Sequence, residues 1–94
     1  MITKRKEILA KAEQAVNGQR ELDYGAPENN FKIIADLWSA YKGCEVTPVD
    51  VAMMMALLKI ARIRHGGGTG DSYVDLAGYA ACGGELAALM EDKG

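Results

Sequence analysis

Asp71 and Asp75 are four residues apart, and a helix brings positions i and i+4 onto one face. Upstream, Lys59 and Arg62 are three apart and share a face in the same way. Two carboxylates on one helix and two cations on the helix before it outline a polar site on otherwise apolar elements. Carboxylates at this spacing can hold Mg²⁺, which favours oxygen ligands and bridges to substrate phosphates. Asp50, at the start of the preceding helix, is the third acid such a site would use. A forked guanidinium such as that of Arg62 suits a phosphate, and Lys59 breaks an apolar run. Each residue also has a plainer use. Asp50 and Asp71 stand where helix caps stand, and Asp75 can complement the dipole or pair with a base. Arg62 and Arg64 suit a helix C-terminus.

Further along the acidic helix, Gly78, Cys82 and Glu85 fall on the same arc as Asp71 and Asp75. Tyr24, beside Gly25 in a polar connection, is the candidate to stack on a base, whereas Trp38 and Tyr41 at helical spacing read as core. Arg20, Lys59 and Arg62 would hold phosphates, and Asn30, Asp71 and Asp75 would bond to sugar or base. His65 has no second His or Cys near it. The run from Gly66 to Gly70 lacks the Gly-Lys-Ser/Thr of a phosphate-binding loop and reads as a linker. No nucleophile triad is assembled by the sequence.

Four helices are expected to position these residues, at about 3–17, 27–42, 48–64 and 71–90, forming a single all-helical domain over 1–94. The first shows Leu9, Ala12 and Val16 on one face, joined by Ile8 and Ala15, and Gly18 as its C-terminal cap. A polar connection from Gln19 to Ala26 follows. The second begins at Pro27, a residue suited to the first helical position, spaces Phe31, Ile34, Trp38 and Tyr41 along one face, and ends at Gly43. In the third, Thr47-Pro48-Val49-Asp50 carries the pattern of a capping box. From Val51 to Leu58 it has no polar residue, so it is apolar in every direction, and such a helix is buried on all sides. In the fourth, Gly78, Gly83 and Gly84 each cost roughly 1 kcal/mol relative to alanine, which implies close approach of another backbone or a ligand.

The chain has 94 residues, of which 49% are hydrophobic. That is one small domain, with more apolar mass than so small a core holds. The expectation is a four-helix bundle whose core is completed by a second copy. A formal net charge of −2 offers no general attraction to DNA or RNA. No stretch reaches the roughly 18 apolar residues of a membrane span, and no secretory signal pattern opens the chain. Cys44 and Cys82 match no metal spacing. A cytoplasmic protein with free thiols follows as the expectation.

The segments Tyr24–Phe31, Asp50–Met55, Leu58–Arg62 and Asp71–Tyr79 resemble a family of small phage and prophage proteins, over roughly Arg20 to Glu85. The Lys-x-x-Arg helix, the loop and the Asp-x-x-x-Asp helix are also distantly similar to MazG-like all-α nucleoside triphosphate pyrophosphohydrolases and nucleotide-modification-associated phage domains. That resemblance implies Mg²⁺ held by an E-E-x-x-E/D motif on one helix and E-x-x-D on the next. Here the corresponding helix offers only Glu28 and Asp36, Asp50 stands alone, and Asp71 and Asp75 are spaced by four rather than three. The first expectation is therefore binding of a phosphorylated nucleotide without turnover, for example as a sponge for a nucleotide immune signal of the host. The alternatives are a Mg²⁺-dependent pyrophosphohydrolase using Asp50, Asp71 and Asp75, and a structural helical interaction module.

Overall fold

The computed structural model describes residues 4–67 and 70–93. Among these the chain is helical, with no strand: α1 (Arg5–Gln14), α2 (Arg20–Tyr24), α3 (Pro27–Lys42), α4 (Pro48–Arg62) and α5 (Gly70–Lys93). The all-α expectation holds, and the boundaries of the three later helices match closely.

The termini of α3 and α4 follow from local chemistry. Pro27 and Pro48 each occupy the first turn, where a missing N–H costs nothing. The α4 capping box is complete: Asp50 N–H donates to Thr47 Oγ1 at 3.1 Å, and Thr47 N–H donates to the Asp50 carboxylate at 3.0 Å. Gly43 ends α3 in the left-handed region at φ 74°, its N–H donating to the Ser39 carbonyl at 2.9 Å. Ser39 then pins the α3–α4 connection. Its hydroxyl accepts from Val46 N–H at 2.8 Å and donates to the Val46 carbonyl at 3.1 Å.

Two glycines behave differently from expectation. Gly18 does not close a helix. It kinks the chain (φ −112°, ψ −105°) within a wide turn, Ala15–Gln19, and helix resumes as α2. Part of the expected polar connection is therefore helical, because Arg20-Glu21-Leu22 are good helix formers. At the other corner the wide turn Ile63–Gly67 prolongs α4, with Gly66 at φ 94°. Gly68 and Thr69 of the expected linker lie outside the described residues.

The core is Phe31 and Ala35 of α3, Val51 and Ala52 of α4, and Cys82 and Leu86 of α5. Val16, Ile34, Trp38, Val46, Val49, Met55 and Tyr79 pack around it. Fully burying Phe31 or Val51 contributes about 1.5–3 kcal/mol each. α4 and α5 form the most extensive helix pair, α1 packs on α5, and α3 packs on α4. Glycine sets the closeness of the α4–α5 pair. A Cβ added at Gly83 would lie 2.7 Å from Met53 Cε and 3.2 Å from Ala52 Cβ, and one at Gly78 would lie 3.1 Å from Val16 Cγ1. Gly84 has nothing within 4 Å, so two of the three glycines are closely approached, and by side chains rather than by the backbone or ligand expected.

Burial corrects three further expectations. α4 is not enclosed: Val51, Ala52 and Ala56 are buried, while Met53, Met54, Leu57 and Leu58 are exposed. Tyr41 is not core but 90% exposed, and buried Ala35 takes the inward position instead. On α1 only Ala12 is buried, and Leu9 is exposed.

Candidate functional site

Lys59 projects from the buried side of α4, one turn beyond buried Ala56. Its ammonium meets the Asp75 carboxylate of α5 at 3.0 Å, with side-chain exposures of 14% and 45%. An amine on an apolar helix face needs such a partner, since an unpaired buried charge is costly. Ala52 lies against Gly83 and Lys59 against Asp75. Contacts that fall along α5 as they rise along α4 mean an antiparallel pair. The ion pair therefore sits where α4 ends and α5 begins.

Other expected residues gather toward this end. Asp71 is exposed one turn before Asp75, and Arg62 is exposed one turn beyond Lys59. The Phe31 ring lies 6.4 Å from that of Tyr79, one turn along α5 from Asp75. That contact brings the N-terminal end of α3, with half-buried Asn30, to the same level. Val16 against Gly78 does the same for the α1 kink. Arg20 and Tyr24 fall on α2, four and eight residues past Val16; their side chains lie outside the described part of the structure, and their roles rest on the sequence alone.

Asp50 is elsewhere. It is bonded into the capping box at the opposite end of α4, nine residues and about 13 Å along the helix from Lys59. Among the described residues no three His, Cys, Asp or Glu side chains converge to hold a metal ion. The expected grouping of Asp50 with Asp71 and Asp75 is not formed, because a residue that caps α4 cannot also reach its far end. Nor does the acidic arc on α5 remain a stripe. Gly78 and Cys82 are buried at its centre, leaving Asp71 and Glu85 exposed on either side. Neither cysteine is in a disulfide; Cys44 is exposed and Cys82 buried. His65 and Arg64 are exposed at the end of α4.

A concavity away from the Lys59–Asp75 pair was not anticipated from the sequence. A groove of about 560 Å³ runs between α3, the α3–α4 connection and the C-terminal half of α5. Leu86, Leu89 and Met90 supply apolar lining, and Glu28, Asp36 and Glu45 line it with carboxylates. Lys32, also in the lining, pairs with Asp36 at 3.0 Å. The i, i+4, i+8 spacing of Glu28, Lys32 and Asp36 is the signal that could have shown one charged face of α3.

The chain belongs to the family described as Domain of unknown function (DUF6378), which matches residues 7–87. It is 57% identical over 74 residues to the Gene 55 protein of Mycobacterium phage L5, covering 78% of this chain and 47% of that protein. It is 47% identical over 75 residues to the Gene 55 protein of Mycobacterium phage D29, covering 80% of this chain and 50% of that protein. The chain thus spans about half the length of these phage relatives. No solved structure matches it. Among the described residues no helix is long and apolar enough to cross a membrane.

Proposed function

We propose that this member of the family is a self-associating phage-type protein that binds a phosphorylated nucleotide where Lys59 meets Asp75, and holds it without hydrolysis. The observation that supports this reading most is the Lys59–Asp75 pair, with its amine largely buried and its carboxylate half open to solvent. An ammonium carries three donors, and a single carboxylate leaves donors for an incoming phosphate. Arg62, one turn away, adds a guanidinium suited to the same anion. Asn30, Asp71 and Asp75 would bond to sugar or base, Arg20 would add a phosphate contact and Tyr24 a base stack. Sequestering a nucleotide immune signal in the host cytoplasm is the concrete form of this reading, and the similarity to phage proteins supports it.

Binding without turnover is preferred because the donor set is thin. Asp50 serves its cap, which leaves Asp71 and Asp75 as the paired acids at this end. A MazG-like pyrophosphohydrolase would need Mg²⁺ held there to activate water against a phosphate, and two carboxylates spaced by four offer fewer ligands than that motif supplies.

Isothermal titration of a panel of linear and cyclic nucleotides tests the reading. We expect binding that Lys59→Ala with Arg62→Ala abolishes, with substrate recovered intact. Absence of heat with every nucleotide would sink it. Mg²⁺-dependent turnover lost in Asp75→Ala would establish the enzyme instead.

A further inference from the structure

We infer that the outer face of the α3–α4 hairpin is a homodimer interface, with α4 packed antiparallel against α4 of a second copy. The inference deepens the self-association reading and is independent of the ligand.

The first observation is area. The chain exposes 6798 Å², whereas a folded monomer of 10.1 kDa exposes about 5,300 Å². The excess of about 1,500 Å² exceeds the roughly 800 Å² that each partner contributes to a standard interface. The radius of gyration, 14.1 Å, is likewise above the value of about 12 Å for a compact chain of this length. The bundle leaves more surface open than a compact monomer of its mass.

The second observation is where that surface lies. Among the described residues, eight of the twelve exposed large hydrophobics are on α3 and α4: Ile33, Leu37, Tyr41, Met53, Met54, Leu57, Leu58 and Ile60. On α3, Ile33, Leu37 and Tyr41 recur at i, i+4 and i+8, opposite buried Phe31 and Ala35. On α4, Met54, Leu57 and Leu58 recur at i, i+3 and i+4, opposite buried Ala52 and Ala56. Such spacings mark one face of a helix. A connection of five residues, 43–47, makes the two helices antiparallel neighbours, so both stripes lie on the outside of one hairpin.

The third observation is charge, and it selects a second copy of this chain. Asp50 stands at the N-terminal end of the α4 stripe, and exposed Arg64 and His65 stand at its C-terminal end. Between them Met53 to Leu58 is uncharged. In a two-fold contact the same patch must complement itself. Antiparallel α4 helices set the Asp50 end of each copy against the Arg64 end of the other and oppose the helix dipoles favourably.

Sedimentation velocity and native mass spectrometry of the whole chain decide the matter. We expect a dimer at roughly tens of micromolar protein, since interfaces of ordinary size have Kd values from about micromolar downward. Leu37→Lys with Leu57→Lys should weaken it at least about 100-fold, because central apolar residues dominate such contacts. Leu9→Lys, an exposed apolar residue on α1, should leave it intact. Both variants change exposed side chains, and helical circular dichroism verifies that they fold. Independently of them, Leu57→Cys, which the Asp50-to-Arg64 register places beside its own copy at the two-fold axis, should cross-link into dimers under mild oxidation in a Cys44→Ser background. A monomeric wild type would overturn the inference and leave the face to another protein. A dimer indifferent to both lysines and not cross-linked through position 57 would retain self-association but overturn this interface. Neither outcome alters the nucleotide titration.

Discussion

The two faces of α4 are both apolar, yet the fold treats them oppositely. The inner face presents Val51, Ala52 and Ala56, all buried, with Ala52 fully so and seated against Gly83. The outer face presents Met54, Leu57 and Leu58, with Leu57 63% exposed. Hydrophobicity does not distinguish them, but side-chain size does. Alanine facing glycine lets two helix backbones approach closely, and bulky side chains on that side would wedge the pair apart. Met55 and Lys59 apart, the large residues are left for the side where no element of this chain arrives. The lesson is that a helix apolar all round is divided by what its neighbours leave room for.

The sharpest way to break the comparison is to remove mass from each side. Phe31→Ala, at the centre of the inner core, should cost about 3–5 kcal/mol, enough to unfold much of a chain this small. Leu57→Ala should change stability by less than about 0.5 kcal/mol when measured at concentrations where the chain is monomeric. Urea denaturation of both variants checks this, and a Leu57→Ala penalty comparable to that of Phe31→Ala would show the outer face packed within the monomer. Adding mass gives the second test. Ala52→Leu should destabilise by about 1–3 kcal/mol through overpacking against α5, with a midpoint shift that does not depend on protein concentration.

Why these faces had to be seen rather than read is clear from particular residues. Local signals were legible: Pro27, Pro48, the Thr47–Asp50 box and Gly43 set helix ends through bonds within a few residues, and the structure places them as expected. The pairing of Lys59 with an acid was foreseeable, since an amine in an apolar run needs a partner, and Asp75 was one of the acids singled out. Less legible was anything that depends on which neighbour is present. Periodicity gives a direction around a helix axis, not the identity of what lies there. That is why Tyr41 reads as core but projects into solvent, and why Gly18 reads as a stop when it is a kink. Asp50 illustrates the same limit. It carried a cap reading and a ligand reading, and only the distance from Thr47 separates them.

Asp50 also allows a smaller test, because it belongs to the outer stripe by direction and to the fold by bonding. Thr47→Ala removes the acceptor for Asp50 N–H and should cost about 1 kcal/mol, or roughly 4–8 °C in Tm for a domain of this size. That loss should be the same in dilute and concentrated samples, because the cap is internal to each chain. A loss that grows with concentration would instead place the Thr47 side chain itself in the contact between copies.

The smallest expected effect divides the adjacent glycines of α5. Gly83 faces Ala52 and Met53, and Gly84 faces open space. Alanine at either position gains about 1 kcal/mol in helix propensity. At Gly84 nothing opposes that gain, so Gly84→Ala should raise the thermal midpoint by a few degrees. At Gly83 the new methyl would meet Met53 Cε at 2.7 Å and Ala52 Cβ at 3.2 Å. Met53 is exposed and can swing aside, but Ala52 belongs to the helix backbone and cannot. The propensity gain should then be largely cancelled, leaving Gly83→Ala less stable than Gly84→Ala. Thermal melts of the two single variants provide the comparison. Equal gains would mean that α4 and α5 can separate slightly at no cost, and the close inner contact would no longer explain why small residues occupy that face.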